Sequence, residues 1–178
     1  MAKGIREIEL RILSELMKNS RVSDRELAKR LGVSQPTVSR IRNKFEKEGY
    51  IKEYTYIPDF VKLGYNLMAF IFIRRAQEFT KEDASALFRE SQKWASKTGF
   101  DTIMAMRGMG CGYDAVIVSL HDSYSAFLER LREIKQFPHI DVDRIDSFIV
   151  DLHDTALYRP LTLSTLATHM LTLRKAQQ

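Results

Sequence analysis

Cysteine is almost missing from this chain. Cys111 is the single one, so no internal disulfide can form, and with no second Cys or nearby His at zinc-ligand spacing neither redox chemistry nor a zinc scaffold is expected. Long apolar runs are missing too. No window approaches the roughly 18 uninterrupted apolar residues of a membrane span, and the first residues, from Met1 to Glu7, lack the apolar core of a secretory signal. The expectation is a cytoplasmic protein with no membrane partner. Acidic residues are outnumbered in one region. Residues 1–62 carry 14 Lys and Arg against 9 Asp and Glu, while residues 63–178 carry 14 of each, so the whole net charge of +5 lies in the first third. A locally basic module suits a polyanion, because neutralised phosphates release condensed counterions.

What is present divides the 178 residues into two small domains and a tail. Ile5, Ile8, Ile12 and Leu16, joined by Leu13 and Met17, recur at helical spacing and form an apolar stripe. Asn19 and Ser20 end that helix. Ser23-Asp-Arg-Glu26 reads as a capping box, with Ser23 and Glu26 each satisfying the other's amide. The helix that follows turns Leu27, Ala28 and Leu31 inward and stops at Gly32, a residue able to take positive φ. Ser34 then caps a third helix with Pro36 in its first turn, running to about Glu48. Two helices joined by a short turn containing Gly make a helix-turn-helix.

The composition of the third helix gives that motif a function. With Val38, Ile41 and Phe45 buried, Pro36, Ser39, Arg40, Asn43 and Lys47 fall on the outward side. Arg and Asn pair bidentately with guanine and adenine edges, and Ser donates or accepts. Gln35 stands at the end that usually points at the bases. Base reading is therefore expected of Gln35, Ser39, Arg40 and Asn43. Thr37, Arg42, Lys44 and Lys47, on the flanks of the helix, are expected to hold phosphates. An ordinary amphipathic helix with a solvated basic face is the plainer alternative. After Gly49, residues 50–57 alternate and are rich in β-formers, so a strand or small hairpin is expected there as a wing. Lys52 would touch a phosphate from it.

These segments resemble the leucine-responsive regulatory protein family, often written Lrp/AsnC. The resemblance rests on Ile12-Leu-Ser-Glu-Leu16, Ser23-Asp-Arg-Glu-Leu-Ala-Lys-Arg-Leu-Gly-Val-Ser34, Thr37-Val-Ser-Arg-Ile-Arg42, Glu48-Gly-Tyr-Ile51 and Pro58-Asp-Phe-Val-Lys-Leu-Gly-Tyr65. It implies a winged helix-turn-helix over residues 1–62 and a second domain starting near Leu63.

Beyond that boundary, four β-prone runs at 66–74, 102–107, 114–121 and 144–151 alternate with two helical patterns. One pattern is Ala84, Leu87, Phe88, Ser91, Trp94 and Ala95; the other is Tyr124, Phe127, Leu128, Leu131 and Ile134. The order βαββαβ over 63–154 reads as a ferredoxin-like α+β domain, an architecture that hosts unrelated functions. The resemblance implies that it oligomerises as a homodimer or higher and binds an amino-acid-like effector. Gly108-Met-Gly-Cys-Gly-Tyr-Asp114 resembles the family's shorter Gly-x-Tyr-Asp hairpin. Amides of Gly108, Gly110 and Gly112 can approach an effector carboxylate, with Asp114 on an amino group; a hairpin turn needing positive φ is the plainer reading. It is no phosphate loop, since no Gly-Lys-Ser/Thr follows. Carboxylates flank His139 and His153, and His121 and His169 stand apart; solvated side chains account for them better than a metal. No catalytic set emerges and no cofactor is expected.

Residues 155–178 extend past the usual family domain as an apolar, partly helical tail containing Leu161, Leu163, Leu166, Met170, Leu171 and Leu173. Such a stripe needs cover, either on the same chain or, as the favoured expectation, on another subunit. The leading expectation is a sequence-specific, nucleoid-associated transcription regulator with double-stranded DNA as partner. Two alternatives stand beside it. Sirohaem decarboxylases resemble the same two-part architecture, and a weakly specific chromatin organiser would share the basic module.

Overall fold

The computed structural model describes residues 5–75, 89, 93, 101–137, 140–154, 156 and 161–175. They form two compact units, one made of Met1–Pro58 with Leu157–Gln178 and the other of Asp59–Ala156.

In the first unit, α1 (Glu7–Lys18), α2 (Asp24–Leu31) and α3 (Gln35–Lys47) enclose one core. Ile5, Leu10, Ile12, Leu16, Val22, Leu27, Val38, Ile41 and Phe45 are buried in it. Local chemistry sets the helix ends. The Ser23 hydroxyl accepts from the Glu26 amide at 3.2 Å. The expected return half of the capping box is replaced, because the Glu26 carboxylate pairs with Arg30 one turn on, where an i,i+4 partner of opposite charge is in reach. Gly32 caps α2 at φ 69°, the left-handed conformation that glycine adopts without a Cβ penalty. Ser34 caps α3, accepting from the Thr37 amide at 3.3 Å.

The wing departs from expectation. Residues 51–58 follow α3 in extended form but join no strand ladder among the described residues. Three bonds hold them instead: the Ile51 amide to the Phe45 carbonyl at 3.1 Å, the Tyr54 hydroxyl to Glu46 at 2.7 Å and the Ser20 hydroxyl to the Thr55 carbonyl at 3.3 Å. Alternating β-formers describe a chain ready to pair; among the described residues no neighbouring strand meets this segment.

The tail supplies a fourth helix to this unit. Its helix, here α5 (Ser164–Lys175), lies against α1, with Ala167 fully buried and the buried Ser14 hydroxyl donating to the Ala167 carbonyl at 3.0 Å. Met170 and Leu171 pack on the helix-turn-helix core. The favoured expectation of a subunit contact is thereby corrected: α1 of the same chain covers part of the stripe. Leu161, Leu163 and Leu166 stay exposed.

The second unit holds β1 (Leu67–Arg75), β2 (Thr102–Gly110), β3 (Tyr113–His121), α4 (Tyr124–Lys135) and β4 (Ile140–Asp151). The strands form one sheet in the order β2-β3-β1-β4, every pair antiparallel. This is the strand order of a ferredoxin-like βαββαβ domain. The helical pattern expected from Ala84 to Ala95 lies outside the described residues, apart from Arg89 and Lys93, which are helical. Period-two alternation separates the two faces of the sheet. Ala69, Ile71, Ile73, Ala115, Ile117, Ile145 and Ile149 pack with Phe127 and Ile134 of α4. The other face carries the cross-strand row Met104, Val118, Phe70, Phe148 and, beside it, Met106, Val116, Phe72, Asp146. Phe148 is 64% exposed.

Candidate nucleic-acid interface

Because Val38, Ile41 and Phe45 are all buried, the rotation of α3 is fixed and its other side must face solvent. Pro36, Ser39, Arg40, Asn43, Lys44, Lys47 and Glu48 line one shallow groove along that side. Five expected site residues, Ser39, Arg40, Asn43, Lys44 and Lys47, meet in this groove, and among the described residues only Lys44 of the five has a side-chain hydrogen bond or ion pair. Gln35 is exposed at the start of the helix, outside the groove. No acid occupies the first turn of α3. Toward its end, Glu48 lies 3.9 Å from Lys44, so the groove is less free of acid than the helical wheel suggests.

The cations and hydroxyls expected on the flanks divide. Thr37 is half-buried, its hydroxyl 2.8 Å from that of Ser34, which makes it part of the cap. Lys44 reaches back to α1, 3.1 Å from Glu9. Glu9 is buried, and burial opposes its charge; hydrogen bonds from the Arg6 guanidinium and amide and from Lys44 outweigh that and lower its pKa from 4.5 to about 2. Arg42 turns back toward α2. Its side chain is 17% exposed, with Nε 2.8 Å from Asp24 Oδ1, close as an ion pair though not aligned as a hydrogen bond, and Nη2 donates to the Val22 carbonyl at 2.9 Å. Arg42 is thus engaged with α2 and with Val22 ahead of it, apart from the groove that Ser39, Arg40 and Asn43 line. Lys47 and Lys52 are exposed, Lys52 on the extended segment beyond the groove.

Sequence reasoning missed a second surface beside the first. Ser20, Arg21, Arg42, Glu46, Tyr54, Thr55 and Tyr56 line a groove between the α1–α2 turn and the extended segment. Tyr54 and Tyr56 had registered only as β-formers. Partial burial, and then the Glu46 acceptor, raise the Tyr54 pKa, so its hydroxyl stays a donor at neutral pH.

In the second unit, Gly110 and Tyr113 close a two-residue hairpin, with Cys111 at φ 53° and Gly112 at φ 85°. Positive φ at both central residues is the hairpin geometry that matches strand twist. Gly108 keeps an ordinary φ within β2, and Asp114 is half-buried in β3. Nothing in this geometry singles out a ligand. At the far end of β3, buried His121 sits 2.8 Å from the Ser119 hydroxyl and 3.4 Å from Asp101. Buried Arg130 also binds Asp101, at 2.9 Å. Burial lowers the His121 pKa, against the pull of Asp101. The exposed His153 ring lies 2.7 Å from Asn66 Oδ1. Among the described residues no three His, Cys, Asp or Glu gather as metal ligands; His139 lies outside them.

Comparison with known proteins adds the following. Residues 5–52 match the family model described as winged helix-turn-helix DNA-binding. The HTH-type transcriptional regulator FL11 of Pyrococcus abyssi is 30% identical over 110 residues, 60% of this chain and 73% of that protein. The leucine-responsive regulatory protein of Rhizobium meliloti is 38% identical over 66 residues, 37% of this chain and 42% of its own. Over several such curated relatives the chain spans about half the relative's length, between 42% and 55%. Among solved structures, a transcriptional regulator of Neisseria meningitidis in complex with L-Met has a TM-score of 0.69 at 19% identity, covering 90% of this chain and 98% of that one. That likeness shows the fold.

Proposed function

Because the chain belongs to the leucine-responsive regulatory protein (Lrp/AsnC) family of helix-turn-helix transcription regulators, we propose that it regulates transcription by seating α3 in the major groove of double-stranded DNA. One observation carries the reading. Ser39, Arg40, Asn43 and Lys47 share an exposed groove on a helix whose opposite side is wholly buried, so the side chains suited to base edges are presented without internal partners. Gln35, Ser39, Arg40 and Asn43 read bases; Lys47 and Lys52 hold phosphates, with Lys44 shared between DNA and Glu9.

The protein acts as a dimer or larger homo-oligomer, and paired α3 helices meet successive major grooves about one turn apart, which selects a near-palindrome. The open sheet face, with exposed Met104, Met106 and Phe148, supports that assembly, since a contiguous apolar patch of this kind marks an association surface. An amino-acid-like effector binds near Gly108, Gly110, Gly112 and Asp114; the L-Met complex of the Neisseria neighbour supports the class. The role is regulatory and not enzymatic, as the names of the relatives support, and its place is on the nucleoid in the cytoplasm. Among the described residues no helix is long and apolar enough to cross a membrane.

The test is selection of genomic fragments by purified protein, followed by mobility shifts against random DNA at physiological salt. A shared near-palindrome bound about a thousandfold more tightly than random DNA is the expected result. Uniform, salt-sensitive binding would instead identify a chromatin organiser, and absence of binding would sink the regulator reading. Arg40→Ala is expected to cost about 1 to 3 kcal/mol on the selected site and to relax its specificity.

A further inference from the structure

Four side chains join three elements beneath the reading surface. Arg42 of α3 holds Asp24, the first residue of α2, at 2.8 Å and the Val22 carbonyl at 2.9 Å. Its guanidinium carbon lies 6.0 Å from the centre of the Tyr54 ring. Tyr54, on the extended segment, donates to Glu46 one turn further along α3 at 2.7 Å. We infer that Arg42 is a positioning residue: with Asp24, Tyr54 and Glu46 it sets the seat of α3 against α2 and the extended segment, and so governs discrimination between DNA sites instead of general attraction to phosphate. The inference rests on the DNA-binding reading above.

The geometry argues against a phosphate role. To meet a phosphate the guanidinium would have to leave both a carboxylate and a carbonyl, in a position already largely withdrawn from water, and a charge-assisted hydrogen bond is among the stronger ones a protein forms. A planar guanidinium can meet Asp24, Val22 and the ring face at once; a lysine ammonium offers no such fork and no face to stack. Arg42 also lies within one turn of Ser39, Arg40 and Asn43. Any rotation or slide of α3 that follows from losing this anchor displaces all three together. Bidentate readout of a base edge depends on a fixed geometry of both donors or acceptors, whereas a phosphate contact tolerates displacement because much of its contribution is long-range. The extended segment depends on the same anchor. It has no strand ladder among the described residues, so the Tyr54 hydroxyl is one of the few bonds that keep it on α3.

Two measurements separate positioning from a direct contact. The first is fluorescence anisotropy with the selected site and with random duplex, from about 50 to 300 mM salt, the range over which each phosphate contact adds to the salt slope. Arg42→Met and Arg42→Lys are both expected to lower the ratio of specific to random affinity tenfold or more, a base-pair-scale loss of discrimination. The salt slope should stay within about 0.3 of the parent protein. Lys47→Met is the contrast: a slope smaller by about 0.9 and an equal loss on both DNAs. The second measurement, made without DNA, is hydrogen exchange of the amides at 51–56, expected at least about tenfold faster in Arg42→Met and in Tyr54→Phe as local anchoring is lost. Asp24→Asn carries the same test should Arg42→Met fail to fold.

The inference is overturned if Arg42→Met lowers the slope as Lys47→Met does, if Arg42→Lys keeps the parent's discrimination, or if exchange at 51–56 is unchanged. A parent protein with no preference for any site would instead overturn the DNA reading, and the exchange experiment would still decide whether the anchor exists.

Discussion

Cys111 holds φ 53° at the tip of the β2–β3 hairpin, where a side chain with a Cβ costs about 1 to 2 kcal/mol. Asn and Gly tolerate this conformation best. Cys111→Asn, or Cys111→Gly, is expected to stabilise the protein by about 1 kcal/mol, read as a higher urea midpoint at an unchanged denaturant slope. Glu9 gives the residue scale a pH dependence. Its pKa falls from 4.5 to about 2 on folding, so its contribution is complete above 4.5 and is lost as pH falls through the folded value. A depression of that size corresponds to roughly 3 kcal/mol at neutral pH. Glu9→Gln should be clearly destabilised at pH 7, and its deficit relative to the parent should shrink between pH 4.5 and 2 in thermal melts.

At the scale of elements, the packing of α5 on α1 is the most testable feature. Ala167 is fully buried against α1, where Ser14 donates to its carbonyl; Ala167→Leu should therefore overpack the contact and cost about 1 to 3 kcal/mol in chemical denaturation. The helix itself was legible in the tail; its docking surface was not. Leu166, Met170 and Leu171 announce a stripe that needs cover, but no pattern in a strip of sequence says which surface provides it. The ends of α2 and α3 were legible because Ser23, Gly32 and Ser34 act on amides within a few positions. The strand expected at 50–57 was not legible for the opposite reason: a ladder, absent there among the described residues, depends on a partner strand elsewhere. The solvent-facing side of α3 was legible from Val38, Ile41 and Phe45 alone, since burying three residues fixes the rotation of a helix. Arg42 and Lys44 were not, because Asp24 and Glu9, which capture them, arrive from other helices.

For the whole molecule, the proposed assembly is the property to test. The row Met104, Val118, Phe70, Phe148 leaves Phe148 exposed in its centre-to-edge run, and a carboxylate placed there cannot be buried without a partner. Phe148→Glu is expected to shift sedimentation from dimer to monomer and to weaken binding to a near-palindrome more than to a half-site. Unchanged sedimentation would remove the sheet face from the assembly. The discontinuous first unit has a consequence in time. Its two parts are separated along the polypeptide by the second unit, and Ser14 waits for an acceptor 153 residues further on. At synthesis rates of about 5 to 20 residues per second, that interval is roughly 8 to 30 s. Throughout it the nascent chain carries α1 with one flank uncovered, available to a chaperone and exposed to a protease, and the helix-turn-helix unit reaches its finished form only after the sheet domain between its two parts has already left the ribosome.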